Sequence, residues 1–95
     1  MSAYAIFQIK ITNKENYTKY VNSVSPIVKK FQGEYLVRGG KSEVVLGKWE
    51  FPRTVIVKFP TFDIAMNWYN SDDYKPIKKL REDNSEANCL IVEGV

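Results

Sequence analysis

The sequence predicts an α+β domain in which helices cover one face of an antiparallel sheet, in the order β-α-β-β-α-β. Three observations predict it. Runs rich in β-branched residues alternate with stretches whose apolar residues recur at helical spacing. The runs come as strand, helix, two strands, helix, strand, which suits an antiparallel sheet better than strict β-α alternation does. Several strands are also apolar on both faces, where a one-sided sheet in water should alternate.

The first strand runs from Tyr4 to Ile11. Ala5, Phe7, Ile9 and Ile11 share one face, and Tyr4, Ile6, Gln8 and Lys10 the other. Asn13 is placed to cap a helix from Lys14. Tyr17, Tyr20, Val21, Val24, Val28 and Phe31 form its inward stripe. Pro26 lies inside this helix and predicts a kink or short break. Gly33 ends it. Tyr35 to Arg38 is the second strand, and Gly39-Gly40 loosens the turn that follows. Glu43 to Trp49 reads as a third, short strand at the sheet's edge.

Thr54 to Phe59 is the fourth strand, with Val55, Val57 and Phe59 on one face, and Pro60 stops it. Thr61 is a natural N-cap, and Asp63 favours the positive end of the helix dipole. Phe62, Ala65, Met66 and Tyr69 make the expected helical stripe. Asn70-Ser71 breaks the helix, and Ser71 can cap another that carries Pro76 in its first turns. Tyr74, Ile77, Leu80 and Arg81 form the inward side of that helix. Asn88 to Glu93 is the last strand. This is the ferredoxin-like arrangement, with the second helical region split in two.

Three stretches together resemble a known family. Phe59 to Tyr74 reads F-P-x-x-x-x-A-x-x-W-Y-x-S-x-x-Y. Gly33 to Gly40 reads G-x-Y-L-V-R-G-G, and the chain closes on Leu90-Ile91-Val92-Glu93-Gly94-Val95. In order and at this spacing they are similar to the domain-of-unknown-function family numbered thirteen-thirty, beside the antibiotic-biosynthesis monooxygenases. Ile64 departs from the acidic residue often found there. The resemblance implies a dimeric α+β barrel, two copies joined sheet against sheet. It also implies relatives that are cofactor-independent monooxygenases and isomerases.

The residues point to a second copy independently. Ile6 opposes Phe7, Leu36 opposes Val37, and Ile56 opposes Val57 across the sheet. Helices cover one face only, so a homodimer is expected to cover the other. The alternative is cover by the chain's own loops.

Composition narrows the function. Residues 1–95 make one domain. The net charge of +3 is mixed in sign, and the densest basic patch, Lys75, Lys78, Lys79 and Arg81, runs straight into Glu82 and Asp83. It reads as a solvated helix face, with no nucleic acid as partner. One cysteine excludes an internal disulfide and suits a reducing compartment. With no signal-like start and no apolar run of about 18 residues, the expected location is the cytoplasm, away from membrane.

The chain contains no histidine. That removes Ser-His-Asp and Cys-His nucleophiles and imidazole ligation of metal or haem. A lone thiol cannot build a zinc site, and Gly39-Gly40 lacks the context of a phosphate cradle. Asp72-Asp73 and Glu82-Asp83 read as caps and surface charge. No metal and no cofactor is expected.

Arginine and aromatic side chains remain. Arg38 and Arg53 stand at strand ends, where the planar guanidinium suits a carboxylate or phosphate. Alternatively they pair locally, Arg38 with Glu43 and Arg53 with Glu50. Alternation along the second strand sends Arg38 to the helix-free side. The expected ligand-binding set is Arg38, Gly39, Trp49, Arg53, Tyr74 and Gln8. Trp68 and Tyr69 read as core, Cys89 as an inert buried thiol, and Arg81 as an ion pair or dimer contact. Three functions follow: a homodimer binding a small organic or anionic molecule, a cofactor-independent enzyme, or a purely structural dimer.

Overall fold

The computed structural model describes all 95 residues. Four strands and three helices follow in the order β1 (Ala3–Ile11), α1 (Lys14–Lys30), β2 (Glu34–Arg38), β3 (Arg53–Phe59), α2 (Phe62–Tyr69), α3 (Lys75–Asp83) and β4 (Ser85–Glu93). The strands form one antiparallel sheet in the order β2-β3-β1-β4. This is a ferredoxin-like α+β fold with its helices on one face.

Local chemistry starts α1 and α2 where the sequence indicates, while α3 starts at Lys75, later than expected, with no side-chain cap of its own. The Asn13 side chain accepts from the Asn16 amide at 3.1 Å, and the Thr61 hydroxyl accepts from the Ile64 amide at 3.1 Å. Each satisfies one of the free donors of a first turn. The Ser71 hydroxyl accepts from the Tyr74 amide at 3.1 Å and so caps the turn that leads into α3.

Alternation on β1 and β3 builds the core. Ala3, Ala5, Phe7 and Ile9 pack with Val55, Val57 and Phe59 under Tyr17, Tyr20, Val24 and Val28 of α1. From α2 the buried residues are Ala65 and Trp68, while Phe62, expected on the inward stripe, is exposed. Trp68 is 1 % exposed and stacks on Tyr74 with ring centroids 4.5 Å apart.

Four expectations need correction. Residues 43–49 form no strand; they belong to a loop, exposed throughout, between β2 and β3. Their β-branched content suits a strand, but no neighbouring strand of this chain runs beside them. Of the kink or short break expected at Pro26, the break is absent, since α1 runs from Lys14 to Lys30. Cys89 is not buried, because β4 is an outer strand of the sheet.

The helix C-terminus is the fourth. The left-handed residue after α1 is Gln32, at φ 64°, rather than Gly33. The Gly33 amide donates to the Val28 carbonyl at 2.8 Å, and the Gln32 amide donates to that of Lys29 at 2.9 Å. These two bonds are a Schellman closure. Gly33 is needed for room: a Cβ there would meet Val28 Cγ1 at 2.6 Å and Phe59 Cε1 at 2.8 Å. A left-handed non-glycine residue costs about 1–2 kcal/mol. Gln32→Gly is therefore expected to raise stability by about 1 kcal/mol, less the entropy glycine adds to the unfolded chain. Urea denaturation measures it.

Candidate functional site

A cleft lies between α1 and the sheet. Tyr17, Tyr20, Val21 and Val24 of α1 form its roof. Phe7, Ile9, Val55 and Val57 form its floor, and Trp68 closes its deep end. Tyr35, Arg38 and Arg53 stand at its mouth, where β2 ends and β3 begins. The enclosed space is about 20 Å³, room for one water or a group of a few atoms.

Arg38 reaches this cleft because of an irregularity that alternation cannot foresee. Tyr35 stands opposite Val57, but Val37 stands opposite Ile56 and Arg38 opposite Val55. Leu36 is the extra residue of a β-bulge, which reverses the facing of everything after it. Arg38 therefore lies on the helix side, against the expectation that placed it on the helix-free side. Its guanidinium carbon sits 4.2 Å from the Tyr35 ring centroid, and its Nη2 donates to the Val21 carbonyl at 2.9 Å.

Arg53 lies across from it. Its guanidinium packs on the backbone of Gly39, where a Cβ would fall 2.0 Å from Nη1. Gly39 has φ 73°, so both its conformation and that contact favour glycine. The Arg53 guanidinium carbon is 5.9 Å from the Tyr17 ring centroid. Burial raises the Tyr17 phenol above its ordinary pKa, with the Arg53 charge drawing it back.

No carboxylate answers either arginine. The ion pairs of the fold are Lys10–Glu86, Lys30–Asp73 and Lys79–Asp83. Glu50, the expected local partner of Arg53, instead accepts from Asn88 Nδ2 at 2.8 Å. Two N–H groups of cleft-lining residues, Arg53 Nε and Trp68 Nε1, are buried without any acceptor. Nowhere do three Asp, Glu or Cys side chains come together as a metal cluster.

The remaining expected site residues lie apart. Gln8 sits on the helix-free face, opposite Thr54 on one side and Asn88 on the other. Trp49 is 47 % exposed in the β2–β3 loop, in a separate open cleft with Val44, Val45, Leu46 and Thr54. Tyr74 is fully buried behind Trp68. Its hydroxyl is 2.9 Å from that of Tyr20 and accepts from Arg81 Nη1 at 3.2 Å. Arg81 is 5 % exposed and forms no ion pair, which removes the first of its two expected roles. Its charge rests on the Tyr74 and Tyr69 hydroxyls and on the Phe7 ring, 5.3 Å away. Tyr35 is among the aromatic residues that the sequence offers as pocket lining, whereas Tyr17 reads there only as part of the inward stripe of α1. The Y-L-V-R run holds the signal, but only the bulge sets Tyr35 and Arg38 side by side.

Burial pushes the Tyr74 phenol up to about 12 and raises that of Tyr20 as well. A phenol near 10 in the unfolded chain ionises first there, so the stability that folding draws from the neutral form is lost as pH climbs. Unfolding free energy is expected to fall by about 2 kcal/mol between pH 10 and pH 12 on account of Tyr74, with Tyr20 adding in the same direction, and Tyr74→Phe to flatten that slope. Denaturation series across this window check it.

The sequence matches the family described as "Domain of unknown function (DUF1330)" over residues 2–95. The chain belongs to this family. No curated protein matches it. Among solved structures it is similar to a protein of unknown function from Rhodopseudomonas palustris, at 11% identity and TM-score 0.78, over 99% of this chain and 82% of that one. SnoaB, a cofactor-independent oxygenase from Streptomyces nogalater, is similar at 5% identity and TM-score 0.66, over 99% and 93%. A dimeric protein of unknown function with a ferredoxin-like fold from Bacteroides fragilis is similar at 14% identity and TM-score 0.57, over 98% and 96%. At these identities the likenesses show the fold. No helix of this family member is long and apolar enough to cross a membrane.

Proposed function

We propose that this protein is a homodimer that binds a small organic carboxylate, head group first, in the cleft under α1. One observation carries the reading: two guanidiniums, neither with a carboxylate partner, stand at the mouth of an otherwise apolar cleft. Arg53 is half-buried with its Nε unbonded, a cost that a bound anion would relieve, while the exposed Arg38 adds a solvated fork at the rim. Two more donors, Arg53 Nε and Trp68 Nε1, are unsatisfied among the cleft-lining side chains. The small volume, about one water's worth, takes a carboxylate oxygen, while the rest of the ligand lies outside against the guanidinium plane of Arg38. Arg38 and Arg53 are the binding forks, and Gly39 keeps the backbone clear for Arg53. Trp49, Tyr74 and Gln8 lie outside this site.

The dimer is supported by the helix-free face, where Leu36, Leu90 and Val92 are exposed beside the half-buried Ile6 and Ile56. A similar fold described as dimeric agrees with it. The unpaired Cys89 suits the reducing cytoplasm.

A second reading, turnover without a cofactor, is favoured by Tyr17. Its burial-raised phenol stays protonated beside Arg53 and can donate to a bound anion.

Thermal unfolding with benzoate, and with neutral benzamide as control, tests the binding. Benzoate is expected to raise the midpoint and benzamide to leave it unchanged. Arg53→Ala should weaken benzoate binding at least roughly tenfold, the scale of one charge-assisted hydrogen bond. Equal effects of the two compounds, or an undiminished effect in Arg53→Ala, would leave a structural dimer as the reading.

A further inference from the structure

The loop between β2 and β3 carries apolar residues that nothing in its own chain covers. Val45 is 91 % exposed, Leu46 90 % and Val44 53 %. The stretch has the composition of a strand yet pairs with none. On the far side of the sheet, β4 presents an open edge nine residues long. Such an edge, with its unpaired N–H and C=O groups, is a template for another strand. Beside it, on the helix side, lies an unfilled apolar cleft of about 240 Å³ lined by Met66, Tyr69, Cys89 and Ile91.

We propose that the segment Lys41–Trp49 of one copy adds antiparallel to the β4 edge of a second copy, reciprocally across the two-fold axis. This rests on the dimer reading above. Charge sets the register. Lys41 and Lys48 are seven residues apart, as are Glu86 and Glu93 of β4. Antiparallel addition that sets Lys41 opposite Glu93 also sets Lys48 opposite Glu86, and opposite charges facing across strands favour the pairing. Glu86 already meets Lys10 of its own chain, but at 3.8 Å and on the exposed surface.

The same register gives two of the three apolar residues apolar neighbours and leaves Leu46 opposite Asn88. Val45 falls opposite Cys89, whose pairing with the buried Phe7 puts it on the helix side, where the apolar cleft is open. Val44 falls opposite Leu90, which pairs with Ile6 on the helix-free side. Glu50 at the loop's end does reach Asn88 of its own β4, but Lys41 is two residues from Gly39, a reach of about 7 Å, and β4 lies three strand spacings, about 14 Å, from β2, so the occupant of the edge in this register is a second copy. Gly47, at φ 73° with nothing near its Cβ position, must extend on pairing, which glycine does freely.

The single native cysteine makes the test direct. Val45→Cys, at an exposed position that should not disturb folding, is oxidised mildly and run on a non-reducing gel. A disulfide-linked species of twice the 11.0 kDa chain is expected. It should be absent from the wild type, from Leu46→Cys and from Val45→Cys combined with Cys89→Ser. If light scattering shows a dimer but no such species forms, or if a 45–89 disulfide closes within one chain, the strand exchange is wrong and the dimer stands. A wild-type monomer at the same concentration overturns both.

Discussion

Trp68→Ala is expected to lower folding stability by about 3–5 kcal/mol, the range for removing a fully buried aromatic. The reason is the number of rings that lean on it. Tyr74 stacks at 4.5 Å, Phe59 lies at 5.1 Å tilted by 33°, and Phe7 meets its edge at 6.3 Å. Truncation leaves a cavity bounded by β1, β3 and the turn before α3, elements tied into the sheet that cannot close over it. The turn itself loses definition, because the Ser71 hydroxyl donates to the Trp68 carbonyl at 2.8 Å and a shift of α2 moves that acceptor. Guanidinium denaturation gives the loss. Trp68→Phe, which keeps a ring on Tyr74 and removes an indole N–H that has no acceptor, should cost much less.

Ile56→Lys is expected to dissociate the proposed dimer. Ile56 sits in the middle of the helix-free face, opposite Ile6 on β1 and Val37 on β2. A lysine there places a charge among apolar neighbours in the sheet-to-sheet contact, with no acidic residue directly opposite. Central interface positions of this kind carry about 2 kcal/mol or more, so the dissociation constant should rise at least roughly 30-fold. In the free chain Ile56 is only half-buried, so the monomer should keep its fold. Sedimentation velocity reads the assembly, and circular dichroism the fold.

The fold was legible because its signals are local and repeated. Asn13, Thr61 and Ser71 cap where side-chain oxygens meet free amides, and alternation on β1 and β3 sorts Phe7 and Val57 from Ile6 and Ile56. The candidate cleft was legible in some of its residue types but not in its place. Arg38, Gly39 and Arg53 do come together, while Trp49 and Tyr74 do not join them. What hid the rest was one residue: the bulge at Leu36 turns Arg38 from the helix-free face to the helix side, beside Tyr35. Alternation carries no mark of a bulge, because it is set by how β2 pairs with β3 rather than by β2 alone. Residues 43–49 misled for a related reason. Strand composition reports what a segment suits, and a strand forms only where an edge is available to it.

The measurement that tests the central claim most directly is the indole N–H spectrum of the protein during a titration with benzoate. The chain has two tryptophans, one at the end of the cleft and one exposed in the β2–β3 loop. Trp68 Nε1 has no acceptor in the free protein, so a carboxylate held by Arg38 and Arg53 changes its surroundings while Trp49 stays as it was. Binding in the cleft gives a saturable shift of the Trp68 resonance, an unmoved Trp49 resonance, and loss of the shift in Arg53→Ala. A Trp68 resonance that stays fixed through saturating benzoate, or one that moves equally with benzamide, would contradict it.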